Sequence, residues 1–224
     1  MVGSETRLGA DGEICYRGRH VFMGYMYMEA QTQETIDADG FLHSGDVGVF
    51  DEDADPRIRA GPGGFMTITG RKKELLITAG GENVPPVLIE AEMKQAMPAL
   101  SNVMVIGDRR KYLSMLLTLK TVVDPATGAP TSQLAADALY EGRRIGSSAE
   151  TVEQAVQDPL WKKYLDDGMR AGNSKTTSSA QVVQKWAVLP RDFSEAEGTL
   201  TPTLKLKRSV AAERYAGIIE QMYT

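Results

Sequence analysis

The chain has 224 residues, a net charge of −5 and a hydrophobic fraction of 42%, enough to build a packed core and too apolar for a disordered segment. An acidic balance gives no nucleic-acid footprint, and the single cysteine, Cys15, excludes a disulfide within the chain and suits a reducing compartment. No apolar run is long enough to span a bilayer, and the polar first residues do not read as a signal peptide.

The first third reads as β-rich. Residues 12–17 (GEICYR) form a strand candidate, and residues 21–25 are a second short apolar run. Residues 32–36 read as a helical turn. Asp39-Gly40 marks a turn before residues 41–43, and residues 47–50 are another strand candidate. Residues 51–64 read as a loop, and 65–69 as a strand leading into Gly70-Arg71-Lys72-Lys73. Residues 1–69 carry 12 acidic and 5 basic groups and the remainder 18 and 20, so a boundary is expected near residue 70.

The remainder alternates helix and strand. A strand is expected at 74–78 and a loop at 79–83. A helix at 87–97 is opened by Pro85-Pro86 and ended by Pro98. Residues 102–106 and 115–119 read as buried strands, with a Pro/Gly turn at 124–131. Helices are expected at 134–145, 149–157 and 160–169, and a strand at 186–189. A loop at 194–203 and one amphipathic helix at 209–223 close the chain. Trp161 and Trp186 are expected in the core, and the methionine-rich stretch from Met23 to Met28 is expected to pack. His20 and His43 are assigned no role, and no metal site is expected from two histidines.

Four segments carry chemistry. Gly12-Glu13-Ile14 with Gly18 and Gly24-Tyr25 reads, alone, as paired strands with turn glycines. Ser44-Gly45-Asp46 puts a carboxylate after a glycine turn, where it could bond a ribose diol or its own backbone. Gly70-Arg71-Lys72-Lys73, followed by Gly80-Gly81-Glu82-Asn83-Val84 and Glu90, sets three cations before a glycine loop. The cations could hold phosphates or be a solvated basic patch. No GxxxxGK[ST] pattern is present, which excludes a P-loop. Residues 200–208 (LTPTLKLKR) form a basic loop before the last helix.

In their order and spacing these segments resemble the C-terminal half of adenylate-forming enzymes, over nearly the whole chain. The matched patterns are GE-x-x-x-x-G…GY, the TGD or SGD turn, GR-x-K…G-x-x-V-x-P…E, and a closing lysine segment. Residues 77–86 (ITAGGENVPP), 200–208, 18–26 (GRHVFMGYM) and 180–190 (AQVVQKWAVLP) are similar to long-chain acyl-CoA synthetases of the bubblegum type. The resemblance implies an α/β (α+β) chain: residues 1–72 the last β-rich part of a large AMP-binding N-terminal domain, residues 73–224 a small mobile α/β lid. It implies that Asp46 bonds the ribose of ATP and AMP, that Arg71 lies near ribose and phosphates, and that Lys73 is the hinge. Gly80 or Gly81 then borders the pantetheine channel, and Lys205 bridges carboxylate and α-phosphate. Leu204-Lys205 replaces the commoner Gly-Lys, which leaves Lys207 as a second candidate.

The implied reaction joins a long-chain fatty acid to coenzyme A through an acyl-adenylate, at the expense of ATP. Magnesium would be held mostly by segments preceding Gly3, and this chain alone would be inactive. The enzyme would be intracellular, in the cytoplasm or peripheral to an organelle membrane, with no nucleic-acid partner. The alternatives are an isolated nucleotide- or CoA-binding module, a non-catalytic interaction domain, and a peptide-synthetase fragment. The intact Asp46, Arg71, Lys73 and Lys205 argue against decay, and the TLKLKR ending against the last.

Overall fold

A computed structural model describes residues 3–51 and 65–224. The chain divides into two compact units, Met1–Leu75 and Leu76–Thr224.

The first unit is built on an antiparallel sheet of β1 (Ser4–Leu8), β2 (Glu13–Gly18), β3 (Leu42–Asp51) and β4 (Phe65–Arg71), in that order, with α1 (Glu29–Thr35) between β2 and β3. The two strands expected at 41–43 and 47–50 are one strand. They are joined because Ser44-Gly45-Asp46 bulges within the ladder rather than leaving it. Glu13 lies opposite Val47 and Cys15 opposite His43, so Ile14 alone faces three residues of β3. The loop expected at 51–64 lies outside the described residues, apart from Asp51, which ends β3. β1 was not anticipated, because its sequence SETRL carries one strong apolar residue and lies on the sheet edge. The expected packing of the methionine run is corrected: Met23 is 99%, Met26 78% and Tyr27 98% exposed. The stretch between β2 and α1 has no regular structure, and it is held to α1 through Thr32, whose Oγ1 accepts from the Tyr25 amide at 2.9 Å.

In the second unit, a short hairpin of β5 (Leu76–Ile77) and β6 (Asn83–Val84) precedes α2 (Pro86–Ala96). The expected strand at 74–78 shrinks to two residues because Lys72–Glu74 winds into a 3₁₀ turn. β7 (Leu100–Ile106) and β8 (Leu113–Leu119) follow, then a hairpin of β9 (Thr121–Val123) and β10 (Pro130–Leu134). Three helices, α3 (Ala136–Arg144), α4 (Val152–Gln157) and α5 (Pro159–Asn173), cross over to β11 (Val183–Val188). The chain closes with α6 (Arg208–Arg214) and α7 (Ala216–Tyr223). The single helix expected at 209–223 is broken at Tyr215, whose backbone leaves the helical region and whose ring packs on Phe193.

β8 is the centre of a three-stranded sheet, antiparallel to β7 and parallel to β11. Every residue of β8 is buried, as a strand covered on both faces requires. Side chains alternate between the two covers. Val103, Val105, Met115 and Leu117 face a core with Met93, Met97, Trp161 and Leu165, whereas Met104 and Leu116 face one with Leu189, Phe193, Ile219 and Met222. α2 meets α5 closely because Gly168 and Gly172 present bare backbone to Met97 and Met93. The start of α5 is set by Pro159 at its first position and by the Asp158 side chain, which accepts from the Leu160 amide. Thr151 and Gln154 form a reciprocal capping box on α4, which shortens that helix against the expected 149–157.

Candidate functional site

Within the first unit, three of the segments singled out in the sequence come together. Asp46 on β3 lies directly opposite Arg71 on β4, and the Arg71 Nε stands 3.3 Å from the Asp46 Oδ1. The turn that presents Asp46 is pinned twice. Its own amide donates to the Ser44 Oγ at 3.0 Å, and the Gly45 amide donates to the Glu13 Oε1 at 3.0 Å. Gly45 takes φ +74°, which accounts for a glycine there.

Glu13 is 4% exposed, so its carboxylate requires partners. Besides Gly45 it receives the His43 Nδ1 at 2.9 Å and the Lys72 ammonium at 3.0 Å, both on Oε2. Lys72 also reaches Asp11 at 2.7 Å. Burial opposes the charge on Glu13, but His43, Lys72 and the Gly45 amide outweigh it and hold the carboxyl below its usual value. Hydrogen bonding to Asp11, then to Glu13, pushes Lys72 up to about 12. The hydrogen bond to Glu13 raises His43, with Asp37 adding to it at 3.4 Å from Nε2. Glu13, His43, Gly45, Arg71, Lys72 and Lys73 border an open cleft of about 730 Å³.

Glu13, Cys15 and His43 place three donor atoms within 4.8 Å of one another. They do not fit a resident metal ion. Lys72 already supplies the cation to Glu13, and burial pushes the Cys15 thiol up, against thiolate formation. Sequence reasoning gave His43 no role, read Glu13 only as part of a strand segment, and left Lys72 as a phosphate-binding or solvated cation. The usable signal was the pairing of a lone strand carboxylate, Glu13, with a histidine two residues before the glycine turn.

The remaining predicted residues belong to the second unit, except Lys73. Lys73 sits in the 3₁₀ turn, two residues before the division after Leu75. Gly80 and Gly81 form the exposed turn between β5 and β6, closed by Gly81 N–H donating to the Thr78 carbonyl at 2.9 Å. Gly81 has φ +81° and Gly80 does not, so the turn geometry demands glycine only at 81.

Lys205 stands beside the tip of a tight hairpin, opposite Thr201. Leu200 and Leu206 pair across it, the Thr201 amide donates to the Lys205 carbonyl at 2.8 Å, and the Lys205 amide donates to the Thr201 Oγ1 at 3.0 Å. Leu204 has φ +59°, the conformation that glycine adopts without cost. Lys207 lies outside the tip, immediately before α6, and its amide is tied to the Thr199 carbonyl. Glu90 on α2 receives both guanidinium nitrogens of Arg208, at 2.8 and 2.6 Å, and the Val105 amide at 2.8 Å. This pair fastens the segment just after the hairpin to α2 and β7.

An antiparallel sheet in one unit followed by a two-sided α/β sheet in the next is the fold of the adenylation domains of adenylate-forming enzymes. The model of the AMP-binding enzyme C-terminal domain matches residues 73–224, and the chain belongs to that family. It is 47% identical over its whole length to the long-chain-fatty-acid–CoA ligase ACSBG2 of Gallus gallus, and 48% identical over 95% of its length to ACSBG1 of Homo sapiens. It spans only 29% and 28% of those relatives. Among solved structures, the adenylation domain of carboxylic acid reductase from Segniliparus rugosus, in complex with AMP and a carboxylic acid, matches 95% of this chain and 28% of that one. The TM-score is 0.62 at 21% identity, a likeness of fold.

Proposed function

We propose that this chain is the C-terminal part of an ATP-dependent long-chain fatty-acid–CoA ligase. Fatty acid and ATP give acyl-adenylate and diphosphate; coenzyme A then displaces AMP. The observation that carries the reading is the 47% identity to such a ligase across the full chain. The paired Asp46 and Arg71 and the hairpin of Lys205 support it with chemistry.

In this reading residues 1–72 are the last β-rich part of the nucleotide-binding domain and residues 73–224 the mobile lid. The Asp46 carboxylate accepts hydrogen bonds from the ribose hydroxyls, and Arg71 beside it holds Asp46 in place and faces the phosphates. Lys205 supplies its ammonium where negative charge gathers between the attacking carboxylate and the α-phosphate. A preorganised donor of that kind accounts for about 10²–10³ in rate. The left-handed backbone at Leu204, where the commoner pattern has glycine, favours Lys205 over Lys207 as that residue. Rotation about Lys73 removes the Lys205 hairpin after the first half-reaction and brings the Gly80-Gly81 turn to the thiol channel. Magnesium would neutralise the phosphates, held mostly by segments preceding Gly3; Asp11 and Glu13 are already paired with Lys72 and are not assigned to it. No helix among the described residues is long and apolar enough to cross a membrane, and with a lipid substrate the enzyme is assigned to the cell interior, in the cytoplasm or peripheral to an organelle membrane.

The test uses the full-length parent, wild type and Lys205→Ala. Adenylate formation from palmitate and ATP, and thioester formation from supplied palmitoyl-AMP and coenzyme A, are followed separately. Loss of the first by about 10²–10³ with retention of the second is expected. Survival of both would transfer the role away from Lys205. The chain by itself is expected to form no acyl-CoA.

A further inference from the structure

The ladder between β2 and β3 has a defect that one side chain repairs. Where Ile14 alone faces Ser44, Gly45 and Asp46, the bulged residues lose the regular ladder partners that strand amides otherwise have. The Gly45 amide is taken instead by the Glu13 carboxylate, whose second oxygen is held by His43 Nδ1 and by Lys72. Two of these partners flank Asp46 or its cross-strand neighbour: Gly45 precedes Asp46, and Lys72 follows Arg71. Glu13 itself is buried and touches none of the groups assigned to the reaction.

We propose that Glu13 is the positioning residue of the ribose site: its buried carboxylate, clamped by His43 and Lys72, sets the bulge that aims Asp46. This rests on the reading of Asp46 as the ribose ligand. A buried anion suits the task because it is fully committed: four-per-cent exposure leaves it little water to turn to, so its three donors fix its direction. Glutamine has the same size and keeps one oxygen for Gly45. It places an amide N–H₂ where Oε2 now meets the Lys72 ammonium, so donor faces donor and the clamp opens.

Around this carboxylate stand Lys72, His43, Asp11, Asp37 and the thiol of Cys15, with Arg7 on Asp37. Lys72 and the imidazole are its only cationic or proton-donating side-chain partners among the described residues.

The experiment compares ATP with 2′-deoxy-ATP in adenylate formation by the full-length ligase. A residue that acts through Asp46 changes the preference for the ribose 2′-hydroxyl; a residue needed only for folding lowers both nucleotides alike. Asp46→Ala is expected to abolish the preference. Glu13→Gln is expected to lower kcat/KM for ATP about tenfold, the worth of one charge-assisted hydrogen bond, with much less loss for 2′-deoxy-ATP. Glu13→Gln in the Asp46→Ala background is expected to add almost nothing. If Glu13→Gln does not fold, His43→Gln, which loosens one side of the clamp, is expected to reduce the preference by a smaller factor. Equal losses for both nucleotides, or full additivity with Asp46→Ala, would overturn the positioning role while leaving Asp46 in place. If Asp46→Ala keeps the preference, the ribose assignment falls first and the role of Glu13 falls with it.

Discussion

Removing Glu90 tests whether the lysine hairpin is anchored as the structure implies. Its side chain is 12% exposed and that of Arg208 24%, and the two make a two-pronged pair that also satisfies the Val105 amide on the edge strand β7. Glu90→Ala therefore strands a largely buried guanidinium and a buried amide together. Breaking a buried pair by removing one partner costs about 3–5 kcal/mol. Arg208 retains enough exposure to turn partly toward water, which places the expected loss near the lower end, about 3 kcal/mol. Arg208→Ala leaves Glu90 with the Val105 amide alone and is expected to cost about 2 kcal/mol, the double variant little more than Glu90→Ala. The assay is a urea titration followed by tryptophan fluorescence. The only two tryptophans, Trp161 and Trp186, belong to the second unit and pack in or against its core, so the signal reports that unit. With a slope of about 1–3 kcal/mol per molar urea, the midpoint should fall by roughly 1–3 M at unchanged slope. A loss under about 1 kcal/mol, or simple additivity of the two single variants, would refute the anchoring argument.

Three further outcomes are expected. Gly168→Ala would gain about 1 kcal/mol at an open helical site, but its Cβ would stand 2.1 Å from the Met97 Cγ; a net loss of about 1–3 kcal/mol is expected in the same titration, and a gain would mean the α2–α5 contact is looser than described. Leu204→Gly removes a left-handed penalty of about 1–2 kcal/mol and adds chain entropy worth about 0.5–1, so a modest stabilisation is expected; a fall in the urea midpoint would show that the leucine side chain packs in solution. The stability that the first unit draws from His43 is fully present below its unfolded pKa of about 6.5 and is lost as pH rises through its raised folded value. That from Glu13 is present above about 4.3 and is lost as pH falls through its lowered folded value. The two together predict a shallow optimum between these limits. The imidazole proton resonances of His43 are expected to titrate above a free histidine and to move down in Glu13→Gln; a midpoint at or below about 6.5 in the wild type would contradict the clamp.

The second unit was the more legible in the sequence because its elements obey local rules. Pro85-Pro86 and Pro98 bracket α2, and the mostly apolar residues 115–119, read as a buried strand, fall within β8, which is covered on both faces. Each of those signals lies within a few residues of the element it sets. The exposed loop carrying Lys205 was also visible, but its hairpin pairing and the left-handed Leu204 were not, since nothing in a leucine announces φ +59°.

By itself the amino-acid sequence determined the order of most elements, through periodicity and turn signals, and, through its resemblance to adenylate-forming enzymes, the class of protein and the residues to examine. It did not determine which of those residues act together. The tertiary structure decided that β3 runs unbroken through the Ser44-Gly45-Asp46 bulge, that α6 and α7 part at Tyr215, and that Met23, Met26 and Tyr27 stand uncovered. It also brought Glu13 to Gly45 and Lys72 across separations of 32 and 59 residues, and Glu90 to Arg208 across 118. The physical reason is common to these last three contacts. A carboxylate in a sequence reads as a solvated charge, and only the folded packing shows that water has been taken away and which donors have replaced it.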